Sequence, residues 1–84
     1  MSPKGVLEAR VFATAVAYAA ARVAVEAAIA RVNHDDDSPL PFSAKAVAFS
    51  NAKERLYDAR QVESAAWAEN FEAQRALEAA RTGR

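Results

Sequence analysis

The five glycines and prolines of this chain stand at residues 3, 5, 39, 41 and 83. Everything between 6 and 38, and between 42 and 82, is free of both. A backbone so rarely interrupted has few folds open to it. Alanine, the strongest helix former, supplies 23 of the 84 residues. The chain reads as two long helices and one loop, too alanine-rich and glycine-poor for an all-β domain. Residues 1–84 make one helical-hairpin domain, with no internal repeat.

Ser2 before Pro3 is a helix start: a hydroxyl N-cap, then proline where its missing N–H does no harm. Leu7, Val11, Thr14, Tyr18, Ala21, Val25, Ala28 and Val32 then alternate spacings of four and three, a heptad seam. Asn33 and His34 read as terminators, and the stretch from His34 to Pro41 reads as the loop. Ser43 is the expected cap of the second helix, with Phe42 as a hydrophobic staple, and Gly83 the expected stop. The helices so defined cover about 3–33 and 43–82, roughly 45 and 60 Å long. A short loop makes them antiparallel neighbours. The last three turns of the longer second helix, around Gln74 to Arg81, are expected to overhang the first, to fold back after a break, or to rest on another chain.

The first helix has one polar strip, built from Lys4, Glu8, Arg22, Glu26 and Asn33. Lys4 with Glu8, and Arg22 with Glu26, are solvent-facing pairs four apart. Besides the seam, Phe12, Val16 and Val23 form a second apolar stripe. A helix apolar on two sides needs two neighbours. The expected remedy is a two-fold homodimer, a four-helix bundle with the first helix central.

On the second helix, Phe49, Leu56, Trp67 and Phe71 fall within about 60° of one another. Beside them runs an alanine every seventh residue: Ala52, Ala59, Ala66, Ala73 and Ala80. Small residues at that spacing let two helix axes approach closely. Ala59 and Ala66 are therefore assigned, with Phe12, Val16 and Val23, to self-association. Glu63 and Asn70 share heptad positions with Phe49, Leu56 and Leu77; they read either as polar register-setters of that seam or as residues left at its margin by a drift toward Trp67, and the drift is the expectation. Trp67 and Phe71 are the candidate partner-binding anchors, since tryptophan is enriched at energetically dominant interface positions. Arg60, Gln74 and Arg75 would form their polar rim.

The chemistry available is sparse. There is no cysteine and one histidine, and no phosphate loop, metalloprotease motif or nucleophile–base–acid set. The run His34, Asp35, Asp36, Asp37 has metal-ligand types, but four consecutive residues do not converge on one ion, and it reads as a solvated acidic loop. No catalytic, cofactor or metal residue is assigned. Lys plus Arg balance Asp plus Glu at 11 each, which argues against a nucleic-acid binder. Arg22 and Glu26 interrupt the apolar window Val11–Ala30, which argues against a membrane span and for a cytoplasmic protein.

These readings converge on a non-enzymatic protein-binding module, an adaptor or inhibitor of a larger complex. An anti-defence protein of a phage or mobile element, of the anti-CRISPR type, is one concrete form. The alternative is a small dimeric DNA-binding regulator or antitoxin-like protein, suggested by Lys45, Lys53, Arg55 and Arg60 but weakened by the interleaved Glu54 and Asp58.

Overall fold

The computed structural model describes residues 2–36, 39 and 41–83. Two helices account for nearly all of them: α1, Pro3–Asp36, and α2, Phe42–Thr82. They form an antiparallel hairpin of 65 × 15 × 14 Å, one helix long and two helices across. Among the described residues there is no strand.

The expected seam of α1 is the buried one. Leu7, Val11, Thr14, Tyr18, Ala28 and Val32 are half-buried, and Ala21 and Val25 are buried. On α2 the covered residues keep the same period: Phe49, Ala52, Leu56, Ala59, Glu63, Ala66, Asn70, Ala73 and Leu77. One contact fixes the register. The Asn70 amide Nδ2 donates to Thr14 Oγ1 at 2.9 Å and to the Val11 carbonyl at 3.3 Å. Carried along both heptads, that register sets Val11 against Ala73, Tyr18 against Ala66, Val25 against Ala59, Ala28 against Leu56 and Val32 against Ala52. Each of these layers holds one large and one small residue, so the helices pack closely without clash. Ala52 and Ala73 are 2% and 0% exposed. Four members of the alanine heptad, Ala52, Ala59, Ala66 and Ala73, are thus taken up within the hairpin, while Ala80 stays exposed.

Four local expectations are corrected. First, α1 does not stop at Asn33 and His34 but runs one turn further, to Asp36. The seam continues to Asp35, which is 5% exposed and paired to Arg31, Nε to Oδ1, at 3.5 Å. Second, α2 starts at Phe42 rather than Ser43. Pro41 is its N-cap, with no side-chain cap hydrogen bond, and the Pro41 carbonyl accepts the Lys45 N–H at 2.9 Å. Phe42 is 87% exposed and staples nothing.

Third, the extra length of α2 does not project at its C-terminal end. Leu77 is buried, and the register places it against Leu7. Since Asp35 falls opposite Phe49, the surplus lies at the loop end, in Phe42–Ala48. Packing layers, not loop length, decide where the overhang falls. Fourth, the seam does not drift toward Trp67. Glu63 and Asn70 stay in it, half-buried, and Trp67 is 53% exposed.

The helix ends otherwise follow the residues expected. The Gly5 N–H donates to Ser2 Oγ at 3.1 Å, and the Val6 N–H to the Ser2 carbonyl at 3.1 Å. Gly83 is the C-cap in extended backbone, φ −72°, so no left-handed conformation requires glycine there. A Cβ at residue 83 would instead strike the Ala79 carbonyl oxygen, which accepts the Gly83 N–H at 2.6 Å.

Candidate functional site

The buried core is thin. Among the described residues only Ala21, Val25, Ala52, Ala73 and Leu77 are buried apolar residues, and no large side chain is fully covered. The apolar payload that remains is carried on the outside, in two places.

The first is an aromatic flank. Trp67 and Phe71, one turn apart on α2, stack with ring centroids 5.2 Å apart and planes 13° from parallel. They are 53% and 46% exposed. The Arg75 guanidinium lies over the Phe71 ring, 5.9 Å from its centre. Four-residue spacing puts Trp67, Phe71 and Arg75 on successive turns of one helix side, so the stack is assembled by the helix itself. The inter-helix register brings Phe12 of α1 to the level of Phe71 on the same flank. Phe12 is 73% exposed. Two aromatic residues of α2 and one of α1 therefore share a side of the hairpin, though they are 55 and more residues apart in sequence.

The proposed rim divides. Arg75 braces Phe71. Gln74, by contrast, stays exposed and donates its Nε2 to Asn70 Oδ1. Asn70 then donates to Thr14, whose hydroxyl lies 2.8 Å from the Arg10 carbonyl and 3.1 Å from the Val11 carbonyl. Gln74 thus orients the residue that sets the register. Arg60 is exposed one heptad before Trp67.

The second place is the outer face of α1. Val16 and Val23 are 54% and 65% exposed, and Val6, which the sequence reading left out, is 51% exposed in phase with them. The alternation of Val6 with alanines hid it. Ala59 and Ala66, grouped with this stripe from sequence, lie half-buried on the inner seam instead. Over its most apolar 18-residue window α1 has a mean hydropathy of 1.5, and 11% of that window is buried. By length and composition it meets the requirements of a membrane-crossing helix, despite Arg22 and Glu26.

Grooves on the surface are shallow. One, lined by Phe49, Ser50, Lys53, Glu54, Tyr57 and Asp58, lies wholly on α2 and has no second wall. Another runs between Val11 and Phe71, Arg75 and Leu77. Among the described residues no group of three or more His, Cys, Asp or Glu side chains could hold a metal ion. His34 and Asp35 belong to the last turn of α1 rather than to a loop, and Asp37 lies outside the described residues. Comparison with protein-family models, with curated proteins and with solved structures finds no match for this chain.

Proposed function

We propose that this chain is a non-enzymatic protein-binding module of the cytoplasm, a dimeric helical hairpin that acts as an adaptor or inhibitor of a larger protein complex. The observation that carries the reading is the Trp67–Phe71 stack: a preassembled aromatic pair, half exposed and braced by Arg75, beside an exposed Phe12. Aromatic residues and arginine dominate the energetics of protein interfaces. A stack held by its own helix loses little freedom on binding. Inhibition of a host defence complex, in the manner of an anti-CRISPR, is the form of this activity that a small hairpin with few catalytic groups suits.

Affinity capture from the source cell with wild-type protein and Trp67→Ala tests the reading. A partner retained by the wild type and released by Trp67→Ala, at unchanged helicity, supports it. Equal retention of the same partner by both overturns it.

The apolarity of α1 favours a second reading, in which that helix enters a bilayer. Resistance of the protein to alkaline extraction from membranes would support this and displace the cytoplasmic reading. A DNA-binding role has less behind it: Lys53 lies over the Phe49 ring, 5.3 Å from its centre, with Glu54 and Asp58 close by. A salt-sensitive gel shift on nonspecific duplex would revive it.

A further inference from the structure

On α1 the valines Val6, Val16 and Val23 interleave with alanines at residues 9, 13, 20, 27 and 30. The spacings alternate three and four throughout. This is a second heptad seam, centred about 160° round the helix from the seam that α2 covers. All eight positions are exposed, and no charge interrupts the seam from end to end. The polar strip and Arg10 and Arg31 lie to its sides.

We infer that this face is the homodimer contact, and that two copies pack there with their α1 helices antiparallel. The inference rests on the dimeric reading above and names the face, the direction and the register. An antiparallel pair turned about a point beside Tyr18 sets Val6 against Ala30 of the second copy, Val16 against Ala20 and Val23 against Ala13. Ala9 then meets Ala27. Every valine faces an alanine, and no seam residue is left over. This is the rule the inner seam follows, where Val11, Val25 and Val32 each face an alanine of α2. Sliding one helix by a heptad breaks it: one direction leaves Val6 without a partner, the other sets Val6 against Val23.

A parallel pair would stack valine on valine and alanine on alanine, so that layers of unequal width compete for one helix separation. It would gain an exposed Glu26–Arg31 pairing between copies, but surface ion pairs contribute little.

Area points the same way. The chain exposes 6242 Å², whereas a compact monomer of its mass exposes about 4,850 Å². The excess, about 1,400 Å², is more than the roughly 800 Å² per partner that a standard stable interface covers. Since the two seams lie on nearly opposite sides of α1, the four helices form a flat row, α2–α1–α1–α2, rather than a square bundle. The Trp67–Phe71 stack stays open in that row.

The chain has no cysteine, so single cysteines report the contact without background. Sedimentation equilibrium is expected to give twice the 9.0 kDa chain mass, and Ala20→Glu to return a helical monomer. Under mild oxidation a mixture of Ala9→Cys and Ala27→Cys is expected to form a mixed disulfide dimer, while neither variant cross-links to itself. A wild-type monomer at tens of micromolar overturns the inference along with the dimeric reading. Self-cross-linking of Ala9→Cys and Ala27→Cys each alone means a parallel pair, and a dimer that survives Ala20→Glu with no mixed cross-link means another face. Either result overturns the inference and leaves the dimeric reading standing.

Discussion

Asp35 and Asn70 are two of the polar residues that the fold draws into its seam, and they behave differently. Asn70 is matched, with donors to Thr14 and Val11 and an acceptor filled by Gln74. Replacing it with alanine is expected to cost about 1 kcal/mol, the ordinary net worth of such hydrogen bonds, because Thr14 keeps a backbone acceptor on its own helix. Urea denaturation of Asn70→Ala measures it. Asp35 is less well placed. It is a buried acid in the final turn of α1, where the helix dipole disfavours negative charge, and its partner Arg31 is 59% exposed at the side chain. Replacing a buried ion pair by an apolar residue is often neutral or stabilising by about 1–4 kcal/mol. Asp35→Leu, which would extend the seam over Phe49, is expected to raise the thermal midpoint; a fall would show that the carboxylate does more than the Arg31 contact reveals.

At the scale of the helices, the alanine heptad of α2 sets how closely α1 lies. Ala59 and Ala66 face Val25 and Tyr18, so enlarging either one pushes the helices apart. Ala59→Leu and Ala66→Leu are each expected to destabilise by about 1–3 kcal/mol. Ala68→Leu, on the exposed side of α2, is expected to be nearly neutral, since leucine is also a good helix former. Thermal melting of the three variants reads the difference. A uniform response would mean that the seam is not the close contact. The helices themselves were legible in the sequence, because the placement of proline and glycine and the seven-residue period of α1 both act locally. Their ends were not. Asn33 and His34 are weak helix terminators, and the helix runs through them to Asp36, past the Arg31–Asp35 pair. The seam of α2 was legible as a period but not as a choice, since the Phe49–Asn70–Leu77 line and the Trp67–Phe71 line carry comparable apolar mass. The choice was made by α1, which offers Thr14 as a partner for Asn70.

For the molecule as a whole, a two-layer hairpin leaves much apolar surface uncovered. Trp67 is half exposed, so Trp67→Ala is expected to shift the thermal midpoint little, well under the 3–5 kcal/mol typical of a buried aromatic truncated to alanine. Emission of the single tryptophan is expected to be that of a partly solvated ring and to move to the blue when a partner covers it. If the chain dimerises through α1, the midpoint also rises with protein concentration, because association stabilises the folded state by mass action; a midpoint independent of concentration over two decades would count against it.

Local chemistry fixed the helical content, the solvent-facing strip of Lys4, Glu8, Arg22, Glu26 and Asn33, and the two apolar sides of α1. Such features depend on propensity and period, which each helix carries alone. The register, the burial of Ala52 and Ala73, the exposure of Trp67 and the placing of Phe12 on the flank of the α2 aromatics were decided only by the tertiary structure. They depend on which residue of one helix lies opposite which residue of the other, and that is settled by the fit of large against small side chains and by one amide that finds its hydroxyl across the seam.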